Sequence, residues 1–137
     1  MTKNITYFKV ATVEDSFVVA KRLHNLFSEV DELEYTGNAR NITDALHLVS
    51  LQKPNALILD INLSEDESGK NGIDLLKLLR DKYPDMYVIM MTNLSDKIYK
   101  TLCLELGANY FLDKTQEFTK LPEILKEIYL QDHKECA

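Results

Sequence analysis

Apolar and polar positions alternate along this chain in two different rhythms. Short runs of apolar residues recur, and between them lie longer stretches with apolar positions three or four apart. Asn55-Ala56-Leu57-Ile58-Leu59-Asp60 holds four apolar residues in unbroken order and ends in a carboxylate. Met86-Tyr87-Val88-Ile89-Met90-Met91 is a second such run and ends at Thr92-Asn93. Continuous apolar runs of this length predict strands buried on both faces. Tyr7 to Val13 has strand composition, Leu33-Glu34-Tyr35-Thr36-Gly37 is a half-polar strand suited to a sheet edge, and Ala108 to Leu112 is a short fifth strand.

The helical rhythm fills the gaps. Val19, Leu23 and Leu26 share one face of a helix that Asp15 or Ser16 can cap and that ends near Phe27. Asn41 or Thr43 opens a second helix with Ile42, Ala45, Leu46 and Val49 on one side. Ile73, Leu75, Leu76, Leu79 and Tyr83 mark a third, stopped by Pro84. Ser95 is placed to cap a fourth that uses Ile98, Leu102 and Leu106 and ends at Gly107. Leu121, Ile124, Leu125 and Ile128 form the stripe of the fifth, with Pro122 acceptable only in its first turn. Five strands alternating with five helices predict an α/β fold, a (βα)5 doubly wound parallel sheet with right-handed crossovers. In the flavodoxin-like order 2-1-3-4-5, the crevice lies between strands 1 and 3.

The chemistry gathers at one rim of that sheet. Glu14 and Asp15 follow strand 1, Asp60 ends strand 3, Thr92 ends strand 4 and Lys114 follows strand 5. Ligands of open α/β sheets bind at the carboxyl ends of the strands. Each residue alone has a plainer explanation. An acid near a helix N-terminus is favoured by the dipole, Asp60 can cap a turn, Lys114 can be a solvated charge, and Thr92 can simply end its strand. His24 and His47 sit on helices with no partner and read as surface residues. The polar loop 64–72, with Glu65, Asp66 and Glu67, is too polar to bury. It is an insertion, or it screens partners by charge.

Composition narrows the class. With 137 residues, one domain (1–137) can bury a core of its own. The formal net charge of -6 argues against nucleic acid or an anionic membrane as a direct partner. No apolar stretch reaches the length of a membrane span, and the first residues do not form a signal peptide. Cys103 and Cys136 lack motif spacing, so a disulfide or metal pair is not expected and a reducing, cytoplasmic setting fits.

The chain resembles the receiver domain of two-component response regulators over essentially its whole length. Val13-Glu14-Asp15-Ser16, Leu57-Ile58-Leu59-Asp60, Met91-Thr92 and Phe111-Leu112-Asp113-Lys114 carry the likeness through their order and spacing. The resemblance implies that Asp60 accepts a phosphoryl group from a histidine kinase or a histidine phosphotransfer protein. It implies that Glu14, Asp15, Asp60 and the backbone carbonyl of Asn62 hold Mg²⁺, and that Lys114 and Thr92 contact the phosphoryl group. Thr92 and Phe111 would be the switch residues, with Phe111 turning inward from a more exposed rotamer. The face of helix 4, strand 5 and helix 5 would then change to engage a downstream partner, an output domain or a second copy in a homodimer. Such a chain is a signalling phosphoacceptor rather than an enzyme, although it assists its own phosphorylation and dephosphorylation. Crowded carboxylates relieved by a hard cation make chemical sense of the cluster.

The chain also departs from the family pattern. The loop after Asp60 is long and lacks the customary proline. Thr115 follows Lys114 where proline is usual, Asn93 replaces a small residue, and Phe111 lacks the commoner tyrosine hydroxyl. The sequence ends soon after its last helix, so a stand-alone receiver or the N-terminal piece of a longer protein is expected. Two other readings stay open: a receiver-like interaction module that takes no phosphate, and a flavodoxin-like cofactor binder. The second would need a neutral phosphate loop where Glu14-Asp15 stand.

Overall fold

Why the apolar runs become strands and the spaced ones helices is visible in how each is capped and covered. A computed structural model of the chain describes residues 8–63, 67–93 and 97–135. Its elements alternate strictly: β1 (Phe8–Val13), α1 (Phe17–Ser28), β2 (Leu33–Ala39), α2 (Ile42–Gln52), β3 (Ala56–Leu59), α3 (Gly72–Lys82), β4 (Tyr87–Thr92), α4 (Lys97–Glu105), β5 (Tyr110–Asp113) and α5 (Leu121–Glu135). A 3-10 turn, Phe118–Lys120, leads into α5. The five strands are parallel in the order β2-β1-β3-β4-β5, as the alternation predicted.

The pleat sorts strand residues into two cores. Ala11, Val13, Leu57, Leu59, Val88, Met90 and Phe111 face one side, where Ala45 and Val49 of α2 and Leu75, Leu76 and Leu79 of α3 cover them. Phe8, Val10, Ala56, Ile58, Ile89, Met91 and Leu112 face the other, under Leu23 and Phe27 of α1 and Leu121, Leu125 and Ile128 of α5. The β3 strand is therefore apolar throughout because both of its faces are covered.

Caps fix the helix starts. Ser16 accepts from the Val19 amide, Asn41 from the Asp44 amide, and Asn71 and Asp74 form a reciprocal capping box on α3. The Ser95 cap expected for α4 lies outside the described residues, as do Tyr7 and Cys136.

Several expectations need correction: Leu46 of α2 is exposed, and His24 has a partner, stacked on Tyr35 with ring centroids 4.7 Å apart. In α4 the buried residue is Cys103, flanked by Tyr99 and Leu106, whereas Ile98 is 73% exposed and Leu102 38%. The helix is apolar on two adjacent stripes, and periodicity alone selected the outer one. In α1 the buried set is Ala20, Leu23 and Phe27, with Val19 and Leu26 only partly covered. β5 begins at Tyr110, because the Ala108 amide is held by Cys103 O at the end of α4; Asn109 N already bonds Val88 O of β4.

Arg80 ties that turn down. Its Nη1 donates to the carbonyls of Tyr83, Pro84 and Met86 at 3.2, 2.9 and 2.7 Å. Nε and Nη2 both donate to Gly107 O, and Nη2 also reaches Asn109 Oδ1. Gly107 has φ +104°, and a Cβ there would stand 2.9 Å from Arg80 Nε. Burial pushes the guanidinium pKa below its ordinary value, with Asp85 opposing.

Candidate phosphoacceptor site

Chain direction delivers the site. Because all strands are parallel, the residues that end β1, β3, β4 and β5 emerge along one rim. There Glu14, Asp15, Ser16, Val19, Asp60, Asn62, Thr92, Asn93 and Lys114 line a cavity of about 310 Å³. One carboxylate oxygen from each of Glu14, Asp15 and Asp60 lies within 4.8 Å of the others. Glu14, Asp60 and Thr92 are buried, Asp15 is half-buried and Asn62 is exposed.

Lys114 crosses this cluster. Its ammonium donates to both Glu14 carboxylate oxygens at 2.8 Å and to Asp60 Oδ2 at 2.7 Å. Asp60 Oδ1 accepts from the Asn62 amide at 3.2 Å, so each oxygen of the Asp60 carboxylate has a donor. Burial raises the Glu14 pKa from 4.5 to about 7; the Lys114 hydrogen bond pulls it down and the nearby Asp60 charge pushes it up. Burial also works against the Lys114 charge, but the bonds to Asp60 and Glu14 outweigh it and hold its pKa above the ordinary lysine value.

Residues that periodicity could not single out hold the acids in place. A bulge between Val10 and Ala11 shifts the β1–β2 register and sets Asn38 opposite Thr12. The Thr12 hydroxyl donates to Asn38 Oδ1 at 2.7 Å and lies 2.8 Å from the Tyr35 hydroxyl. Asn38 Nδ2 in turn donates to Glu14 O at 3.0 Å. The Ser16 amide donates to Glu14 Oε1, and Arg40 donates to Asp15 O. Gly72 is the other missed residue. Its amide bonds Ile61 O at 2.7 Å, and a Cβ would collide with the Asp60 carbonyl oxygen and stand 2.8 Å from the Asp60 carbonyl carbon. Only glycine lets α3 start this close to the Asp60 backbone.

Phe111 is not at the site. It is 8% exposed and packs in the core with Met90 and Cys103. The inward turn expected of it is already made here, because residue 111 falls on the strand face that points at α4.

The model of the family described as response regulator receiver domain matches residues 10–126. The chain belongs to the response regulator receiver family. Receivers are domains of two-component response regulators, and this one has their fold. Among curated relatives, a protein-glutamate methylesterase/protein-glutamine glutaminase of Desulfotalea psychrophila is 37% identical over 114 residues, covering 81% of this chain and 30% of that protein. The transcriptional regulatory protein YhcZ of Bacillus subtilis is 28% identical over 109 residues, covering 80% of this chain and 49% of that one. This chain thus spans half or less of those relatives. Among solved structures, the response regulator domain of Thermotoga maritima CheB superposes with TM-score 0.77 at 26% identity, over 91% of this chain and 96% of that one. Among the described residues, no helix of this receiver is long and apolar enough to cross a membrane.

Proposed function

We propose that this receiver accepts a phosphoryl group on Asp60. The observation that carries the reading is the Lys114 ammonium, held 2.7 Å from the Asp60 carboxylate beside two further acids and the buried Thr92. A carboxylate oxygen of Asp60 attacks phosphorus, the P–N bond of a phosphohistidine breaks, and the electron pair leaves on the imidazole nitrogen. The donor is a histidine kinase or histidine phosphotransfer protein. Lys114 balances charge on the transferred group, and the Thr92 hydroxyl offers a donor. The return step is attack by water on phosphorus, which breaks the P–O bond, restores the carboxylate and releases inorganic phosphate.

The three-acid cluster suits a hard divalent cation, because all its donors are oxygens and their charges repel. Glu14, Asp15, Asp60 and the carbonyl of Asn62 would hold Mg²⁺, which when bound supplies positive charge to the phosphate oxygens. Phosphorylation adds charge and acceptors at Asp60 and draws on Thr92. We assign the consequence to the face of α4, β5 and α5, where a protein partner, an output domain or a second copy would dock. Intact-mass measurement after acetyl phosphate and Mg²⁺ tests the reading. One added phosphoryl group, absent in Asp60→Asn, is expected. An unmodified wild type with both acetyl phosphate and kinase points instead to an interaction module that takes no phosphate.

A further inference from the structure

β1 ends at Val13, so Glu14 and Asp15 stand just beyond it. Residues at the end of β2 hold the peptide units of both acids. The Glu14 amide donates to Ala39 O at 2.9 Å, Asn38 Nδ2 donates to Glu14 O at 3.0 Å, and Arg40 Nη2 donates to Asp15 O at 3.2 Å.

Behind Asn38 runs a directed chain of hydrogen bonds. A main-chain carbonyl can only accept, so Asn38 turns Nδ2 to Glu14 O and Oδ1 to Thr12. The Thr12 hydroxyl gives its one proton to Asn38 Oδ1, which leaves the Tyr35 hydroxyl, 2.8 Å away, as the donor to Thr12. Thr12 is fully buried in a strand otherwise lined by Val10, Ala11 and Val13, and a buried hydroxyl persists only with partners. Without the bulge after Val10, Gly37 would stand opposite Thr12 and the chain of bonds could not form. The Tyr35 ring is fixed in turn by α1, with His24 stacked on it and Phe27 tilted against it at 6.0 Å between centroids.

We infer that Thr12 and Asn38 are positioning residues for a cation: through the Glu14 carbonyl they fix the Glu14–Asp15 pair at the spacing a small ion requires, and so favour Mg²⁺ over Ca²⁺. The inference rests on the cation reading of the three-acid cluster. Mg²⁺ demands near-octahedral geometry, whereas Ca²⁺ accepts a varied number and spacing of oxygens. Backbone freedom at residue 14 therefore weakens Mg²⁺ binding more than Ca²⁺ binding. A general loosening of the fold weakens both alike.

The test titrates unphosphorylated wild type, Thr12→Val, Thr12→Ser, Asn38→Ala and the Thr12→Val/Asn38→Ala pair with MgCl₂ and, separately, with CaCl₂. NMR amide shifts at residues 14, 15 and 62 report binding, and urea unfolding without cation reports the fold of each variant. Valine keeps the shape of threonine and removes only the hydroxyl. Asn38→Ala should weaken Mg²⁺ binding about two- to tenfold and change Ca²⁺ binding by less than about twofold. Thr12→Val should move the two affinities in the same sense, while Thr12→Ser matches wild type. The pair should lose no more than Asn38→Ala, because Thr12 acts only through Asn38. Wild-type Mg²⁺ affinity in folded Asn38→Ala overturns the positioning role and leaves the cation site standing. Equal losses for the two cations, or losses that multiply in the pair, overturn it as well. A wild type in which neither cation shifts residues 14 and 15 overturns the cation reading and the inference with it.

Discussion

Replacing Lys114 with methionine removes the one ammonium that touches both Glu14 and Asp60 and keeps most of the side chain's apolar length. All three groups are shielded: the Lys114 side chain is 12% exposed and the Glu14 side chain 3%. Removing one partner of a buried pair costs roughly 3–5 kcal/mol, because the remaining charge is left without compensation. That cost depends on pH through Glu14. Its pKa rises from 4.5 to about 7 on folding, mainly through burial. At about 1.4 kcal/mol for each tenfold change in proton affinity, ionised Glu14 is about 3 kcal/mol less favourable in the fold than in the unfolded chain. The folded state holds this proton more tightly. The stabilising contribution is thus complete below pH 4.5 and is lost as pH rises through about 7. Wild type without divalent cation should lose stability from this group between those limits. Lys114→Met should lose the full 3–5 kcal/mol at pH 8 and about half of that at pH 5, where Glu14 carries its proton. Saturating Mg²⁺ should return part of the loss at pH 8, since the acids regain a counter-charge. Urea unfolding of both proteins at the two pH values, with and without Mg²⁺, measures all four quantities. An equal loss at pH 5 and pH 8 would refute the assignment of a raised pKa to Glu14.

Four further outcomes are expected. Gly72→Ala should destabilise the fold by about 2 kcal/mol or more through its collision with the Asp60 backbone, and should slow acetyl phosphate transfer; thermal unfolding and intact mass check both. Thr92→Ala should still be phosphorylated but should show smaller shifts in α4 on beryllofluoride binding, read by NMR. Phe111→Ala should cost about 3–5 kcal/mol, as for any large core residue, and alter partner binding without abolishing phosphorylation. Arg80→Lys should cost about 2 kcal/mol or more in urea unfolding, because an ammonium cannot span the carbonyls of residues 83, 84, 86 and 107 at once.

The strand–helix alternation and the rim on which Glu14, Asp15, Asp60, Thr92 and Lys114 meet were legible in the sequence, because two periodicities and one chain direction determine them. Phe111 was legible as a residue but not as a position. Its side follows from its place opposite Met90, which only the assembled sheet shows. The outward stripe of α4 was misread for a related reason. Ile98 and Leu102 have the right spacing, but which stripe turns inward is set by the sheet beneath. Thr12, Asn38 and Gly72 left no signal, since a buried hydroxyl network and a close backbone approach exist only once distant segments meet.

Arg80 grips main-chain oxygens at residues 83, 84, 86 and 107, and no side-chain identity at 83–86 enters those bonds. The bonds themselves survive substitution there provided the backbone path is kept, although Tyr83 and Met86 also pack on the core. Position 107 has no such latitude, because a methyl group and the guanidinium would compete for the same space. The dependence runs one way. A lineage that gains a side chain at 107 must give up the arginine and also bear the strain of φ +104°, so glycine stays favoured at 107 even where the arginine is lost. In a set of homologous sequences arginine at 80 should occur with glycine at 107, while glycine at 107 should also persist without it.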